Sequence, residues 1–366
     1  MEADFEAAKA QFLDGLRCHQ AGQFAQAEQH YRASLGLVPG RPSTLTNLGA
    51  TLLALARPQE ALPLLQQATQ AEPAHAEGWL QQAQALAQLG RLPEALHCTG
   101  RLLALQDTLG EAWALHGGLL KDLGQPQAAA QALQRAIELG ADPAVNGYLL
   151  ASLTGAGAPP RSPRGYVEQL FDGYADTFEQ QLVDRLQYRA PAVLARLLSA
   201  QLAQPVASAL DLGCGTGLCG PLLRPLAQRL IGVDLSPRML AQARARGVYD
   251  ELLQADIAEH LQLTEEQHDL LVAADVFIYL GDLQPVFAGA AHVLRPGGLF
   301  AFSVEEAGDA VDYALHNSSR YAQSERYLRA LAQAHGLDVL QAVREPLRND
   351  QRAPVPGLYL LLRAAA

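Results

Sequence analysis

The chain is short of several things at once, and each shortage excludes a class of protein. It has no run of basic residues: 27 Lys+Arg stand against 38 Asp+Glu, a formal net charge of −11. Residues 1–160 carry 9 basic and 14 acidic side chains, and the remainder 18 and 24, so neither half offers the clustered positive charge that a phosphate backbone requires. Nucleic acid is therefore not an expected partner. The four cysteines, Cys18, Cys98, Cys214 and Cys219, lack paired spacing, and no two histidines form a His-x-x-x-His pair. That predicts a reducing cytoplasm, with neither a disulfide framework nor a metal site. The first ten residues are acidic and have no apolar core, which predicts that they are not a signal peptide. The longest apolar stretch, residues 270–280, is too short to span a bilayer and is interrupted by Asp275, so no membrane association is expected. What is present is a soluble globular composition, 49% apolar and 18% charged, in 366 residues. That length accommodates two or three domains, each with its own core.

The N-terminal part repeats itself. Gly22, Ala56, Gly90 and Gly124 recur at equal intervals of 34 residues, and so do Ala27, Ala61, Ala95 and Ala129. The alanines fall where two antiparallel helices must approach closely. The glycine position ends the first helix of each pair, while Pro39 and Pro73 close the second; Trp79 and Trp113 mark the third and fourth units. A helix-turn-helix period of this length resembles the tetratricopeptide repeat, which implies a superhelix of about four units with a groove for a protein or peptide. Residues 144–153 read as a capping helix. Thr99 stands where a large side chain is usual and Asp107 where a proline is, so the third unit departs from the pattern.

Residues 155–165, GAGAPPRSPRG, contain three prolines that stop helices and predict a linker. The expected organisation is therefore a repeat domain over 1–154, a linker over 155–165, a helical segment over 166–204 and an α/β domain over 205–366. In the helical segment Phe171 and Phe178 read as a core-facing stripe, and Tyr174 and Tyr188 as candidates for a lid. Beyond residue 205 short apolar runs alternate with helical segments, the mark of a doubly wound sheet. Strands are expected at 208–212, 229–234, 251–254, 269–274, 298–304, 337–344 and 357–363. A polar loop joins the last two, which predicts an antiparallel hairpin closing a seven-stranded mixed sheet.

The residues at the strand ends carry the chemistry. The stretch LDLGCGTGLCG, residues 210–220, places Gly213, Gly215 and Gly217 in a strand-to-helix turn, where bare backbone can approach a nucleotide-like ligand. Asp234 follows at the spacing that lets a carboxylate reach ribose hydroxyls. Asp211, two residues before the first glycine, suits a ligand with a cationic amino group and would repel a pyrophosphate. Asp256, Asp275 and Glu305 end or follow further strands, a set of acids that would be odd as packing because unpaired buried carboxylates are unfavourable.

This region resembles the class I methyltransferases, with their Rossmann-like sheet and S-adenosylmethionine as cofactor. The resemblance implies that Gly213, Gly215 and Gly217 cradle the methionine part and Asp234 holds the ribose. It implies further that Leu235 and Met239 flank the adenine, Asp256 and Ile257 bind its edge, and the Ala274 carbonyl meets the amine. Together with FDGYADTFE, LQYRAP, ADVFIYLGDL, FSVE and SSRYAQS, the repeats resemble a bacterial family of tetratricopeptide-repeat methyltransferases over the whole chain. Gln323 stands where that family tends to have histidine. An in-line methyl transfer needs alignment more than a metal. If the acceptor needs a base, Asp275, Tyr279, Glu305 and Tyr321 are the candidates by position. The leading expectation is a protein or peptide acceptor presented by the repeats. The alternatives are a small-molecule acceptor with the repeats used for oligomerisation or docking, and a non-catalytic scaffold.

Overall fold

A computed structural model describes residues 2–174, 179, 186–350 and 353–365. The chain divides into two compact units, Met1–Leu153 and Thr154–Ala366. In the first, α1 (Glu2–Gln20) pairs with α2 (Phe24–Leu37) and α3 (Pro42–Ala54) with α4 (Pro58–Ala71). Likewise α5 (Ala76–Gln88) pairs with α6 (Leu92–Leu105) and α7 (Gly110–Asp122) with α8 (Pro126–Glu138), before α9 (Pro143–Thr154).

The period seen in the sequence is a period of turns. Gly22, Gly90 and Gly124 all have φ near +72°, and Ala56 adopts +57° in the same place. In each turn the next residue's N–H reaches back five positions, Gln23 to Cys18, Arg57 to Leu52, Arg91 to Leu86 and Gln125 to Leu120, which satisfies carbonyls that the helix end would leave bare. Ala27, Ala61, Ala95 and Ala129 are completely buried. A second small-to-large pairing runs beside them. A Cβ on Gly15, Gly49 or Gly117 would come within 2.7, 2.5 and 2.9 Å of Tyr31, Leu65 and Leu133 respectively. In the third unit the equivalent positions hold Ala83 and Thr99, both completely buried. One side gains a methyl where the other loses bulk. Asp107 also fits without its proline: Trp113 Nε1–H donates to the Asp107 carbonyl at 2.8 Å, as Trp79 donates to the Pro73 carbonyl at 2.9 Å. A backbone oxygen serves, whatever the side chain.

The second unit opens with α10 (Arg164–Tyr174) and α11 (Ala190–Ser199) and then alternates. Its elements are β1 (Val206–Leu212), α12 (Gly220–Leu223), β2 (Ala227–Asp234), α13 (Pro237–Arg246), β3 (Glu251–Gln254), α14 (Ile257–Leu263), β4 (His268–Ala273), α15 (Gln284–Val293) and β5 (Leu294–Glu306). There follow β6 (Tyr313–Leu315), β7 (Tyr321–Gln323), α16 (Glu325–Ala334), β8 (Leu337–Arg344), β9 (Asn349–Asp350), β10 (Ala353–Pro354) and β11 (Gly357–Ala364). The sheet order is β3-β2-β1-β4-β5-β11-β8, with β11 antiparallel to both neighbours. The expected hairpin is therefore present, with its second strand inserted between β5 and β8. The short β6 and β7, absent from the sequence reading, pair beside the last residues of β5, beyond the end of β4.

Both faces of the sheet are covered, which is why its parallel strands are apolar throughout. Leu210, Leu212 and Val233 pack toward Leu261 of α14 and Phe287 of α15, whereas Ala209, Leu230 and Val272 pack toward Leu194 of α11 and Leu223 of α12. The Gly/Pro stretch is more than a spacer. The Pro160 carbonyl accepts the N–H groups of Gly281 and Asp282, Ser162 N–H donates to the Tyr279 carbonyl, and the Tyr321 hydroxyl donates to the Pro159 carbonyl. Residues 159–162 are thus fastened to the loop after β4. Among the described residues, no helix is long and apolar enough to cross a membrane.

Candidate active site

Strand order reverses between β1 and β4, and the loops leaving the carboxyl ends of these strands enclose a cavity of about 170 Å³ in the second unit. That is where open α/β sheets bind ligands. Gly213 and Gly215 line it, with φ of +65° and +55°. The two glycines differ in purpose. A Cβ on Gly213 would lie 2.6 Å from Val276, while one on Gly215 would meet nothing within 4 Å, so Gly215 leaves open space. Gly217 does not line the cavity: a Cβ there would meet Tyr249 and Arg246, which makes it a packing glycine.

Asp234, at the end of β2, also lines the cavity. Its carboxylate accepts Gly215 N–H at 2.8 Å and Ser236 N–H at 2.9 Å, so it fixes the glycine turn as well as facing the cavity. Burial raises its pKa, and the N–H groups of Ser236, Gly215 and Leu235 oppose that rise. Asp211 lies behind the turn and not on the cavity wall. It is buried, accepts the Tyr249 hydroxyl at 2.6 Å, and has its pKa pushed up by burial to about 7. The reading of Asp211 as a direct ligand group therefore differs from its position, because Tyr249 occupies its Oδ2.

Asp256 caps α14 by accepting the N–H groups of Ala258 and Glu259, and its other oxygen pairs with Arg161 at 3.1 Å. Arg161, Leu235, Asp256 and Ile257 all line the cavity. Met239 does not; it is completely buried on α13, where its N–H donates to Ser236 Oγ. Tyr188 lines the cavity and donates its hydroxyl to the Ala274 carbonyl at 3.0 Å, bringing the expected lid residue to the carbonyl expected to meet a ligand. The side chain of Tyr174, and Phe178, lie outside the described residues. Phe171 lines the cavity and meets the Tyr279 ring edge-on, centroids 5.4 Å apart.

Of the four candidate bases, Tyr321 is placed elsewhere: it is buried, with its hydroxyl on Pro159. Gln323 is likewise buried and donates to the Phe277 and Leu280 carbonyls. Tyr279 lines the cavity with a pKa pushed up to about 12 by burial, so its hydroxyl keeps its proton at neutral pH. Asp275 and Glu305 both meet Arg348, a guanidinium that is 1% exposed in the loop before β11. Burial alone would lower the Arg348 pKa, but the two carboxylates more than offset it and raise it. Asp275 has φ of +58° and donates its N–H to Ser303 Oγ. Arg348 was missed by the sequence reading, although two acids at adjacent strand ends were a signal that a cation had to be found. No group of three or more metal-ligating side chains occurs among the described residues.

A family model described as a methyltransferase domain matches residues 210–302, and tetratricopeptide-repeat models match residues 52–119 and 110–142. Malonyl-[acyl-carrier protein] O-methyltransferase of Enterobacter lignolyticus is 31% identical over 186 residues, covering 48% of this chain and 72% of that protein. The chain belongs to the class I methyltransferases. This methyltransferase carries tetratricopeptide repeats ahead of the matched domain. The enzyme of the same description from Serratia marcescens is 33% identical over 135 residues, 37% of this chain and 52% of its own length, so the chain spans about half of that relative. Nodulation protein S of Rhizobium tropici is 34% identical over 113 residues, 30% of this methyltransferase and 48% of that protein. Among solved structures, the N-methyltransferase NodS from Bradyrhizobium japonicum in complex with S-adenosyl-l-homocysteine is 23% identical, with a TM-score of 0.45 over 55% of this chain and 99% of that one.

Proposed function

We propose that this chain is a cytoplasmic enzyme that methylates a protein or peptide held by its repeat unit. The carrying observation is the pairing, in one chain, of a cavity at the strand-order reversal of an α/β sheet with a unit built of four helix pairs. Stacked helix pairs of this kind present surfaces for extended segments.

The residues present fit the cofactor. Gly215 leaves space where a side chain would intrude. In this reading Gly213 and Gly215 face the methionine part, Asp234 holds the ribose hydroxyls, and Leu235, Asp256 and Ile257 bound the adenine. S-adenosylmethionine supplies a methyl group on a sulfonium sulfur. The chain's own residues orient: the Asp234 carboxylate stiffens the glycine turn, and Tyr188 fixes the Ala274 carbonyl. Holding donor and acceptor at attack distance accounts for most of what the protein must do.

The test is transfer of a tritiated methyl group from S-adenosylmethionine into a bacterial extract, followed by size separation. Protease-sensitive counts in the macromolecular fraction, absent with Asp234→Ala, are expected. Counts confined to the low-mass fraction would instead favour a small-molecule acceptor, with the repeats used for oligomerisation or docking.

A further inference from the structure

We infer that the acceptor group is an amine, recognised by Asp275. The inference rests on the methyltransferase reading and names the substrate class of the same cavity. Its starting point is an imbalance. Asp275 and Glu305 share one guanidinium, Arg348, and the side chains of the three are 9, 11 and 1% exposed. Two carboxylates against one cation leave this buried trio with excess negative charge. Asp275 Oδ2 and Glu305 are bonded to Arg348, whereas Asp275 Oδ1 is buried without any hydrogen-bond partner. An ionised oxygen that has lost its water and gained no donor is costly, and a donor brought by a ligand recovers that loss.

The surroundings favour a cationic donor. Tyr188, Tyr279 and Phe171 line the same cavity, and aromatic faces attract ammonium groups. A carboxylate acceptor would meet like charge here. Of the other guanidinium groups on the wall, Arg161 is paired with Asp256 and Arg164 with Glu168, while the charge of Arg320 acts on the Tyr279 hydroxyl.

A sulfonium or the donor's own amine has similar chemistry, so position must decide between the two sources. Apart from the Ala274 carbonyl, which the Tyr188 hydroxyl already meets, the residues fitted to the cofactor end or follow β1, β2 and β3, on one side of the strand-order reversal. Asp275, Glu305 and Arg348 belong to the other side, at the ends of β4 and β5 and in the loop before β11. That side is left for the acceptor, and a lysine side chain or a chain amino terminus has the required group. The bound ammonium first gives one proton to water; the freed lone pair then forms the N–C bond as the C–S bond breaks, and that bond's electron pair stays on sulfur.

The experiment uses the full chain saturated with S-adenosylhomocysteine, titrated calorimetrically with n-butylammonium or n-butyrate. Butylammonium is expected to bind and butyrate not to. Asp275→Asn, which keeps a residue tolerant of φ near +58°, should weaken butylammonium about tenfold or more while leaving the affinity for S-adenosylmethionine and S-adenosylhomocysteine unchanged. Binding of butyrate, or no binding of butylammonium to the unmodified protein, overturns the inference without any variant. So does an Asp275→Asn protein that binds butylammonium undiminished, or one that loses both cofactor species in parallel, which would assign Asp275 to the donor. Failure to bind S-adenosylhomocysteine at all, read before any amine is added, removes the cofactor reading and this inference with it.

Discussion

Burial decides what Asp211 does before any ligand arrives. Its pKa of about 7 in the folded protein, against an ordinary value of 3.8, means that the native state prefers the protonated form. A raised carboxyl pKa contributes stability that is fully present below about pH 4 and lost as pH rises through 7. The ligand-free second unit should therefore lose thermal stability between these limits, and Asp211→Asn should flatten that part of the profile. A variant whose melting temperature follows the same pH curve as the unmodified protein would show that Asp211 is not the group responsible. Ala56 offers a simpler case. It holds a left-handed conformation that glycine holds in the three equivalent turns, and an L side chain there is strained by roughly 1–2 kcal/mol. Part of that is offset by glycine's greater freedom when unfolded, so Ala56→Gly should stabilise the repeat unit by about 0.5–1 kcal/mol in a denaturant titration. At this scale the sequence was readable where a residue's role is local. The equivalence of Ala56 with the three glycines could be read from spacing, as could the glycine turn at 213–217. Whether Asp211 or Asp234 faces the cavity could not, because Tyr249 decides it from 38 residues away.

At the scale of elements, the third repeat shows how a departure from pattern is accommodated. Thr99 stands where a large side chain is usual, but Ala83 stands opposite where the other repeats have glycine. Thr99→Leu should overpack this contact and destabilise by about 1–3 kcal/mol, and it also removes the bond to His116. Adding Ala83→Gly should recover part of the loss. A double-mutant cycle with a favourable coupling near 1 kcal/mol is the expected result, and strict additivity would refute the pairing. The same long-range logic governs the acids at the strand ends. Their presence was legible, because carboxylates after apolar runs stand out. Their partner was not: Arg348 lies 73 residues from Asp275 and 43 from Glu305, in a polar loop with no periodicity to place it. Arg348→Met should destabilise the second unit by about 3–5 kcal/mol, since it leaves two buried carboxylates facing one another without a cation. Denaturant unfolding of the second unit measures it.

For the whole molecule, the division of labour was legible because its two halves use different periods, helical pairs first and alternating strands after. The short β6 and β7 escaped because three residues are too few to show alternation. Two compact units also make a prediction about ligand response. Bound S-adenosylhomocysteine should slow amide hydrogen exchange in residues 154–366, where the cavity lies, by mass action on local opening. Equal protection gained over residues 2–153 would mean that the units respond as one body. The placement of β11 carries a last consequence, for the order in which the enzyme is made. This interior strand, flanked by β5 and β8, and the arginine before it leave the ribosome after every other part of the sheet. Until residue 348 emerges, Asp275 and Glu305 have no counter-ion, and until residue 364 does, β5 has no neighbour on that side. The repeats can fold as they are synthesised, whereas the catalytic sheet must wait. Ribosome-held chains stopped at residue 345 should therefore be protease-resistant in the repeats and cleavable throughout the sheet.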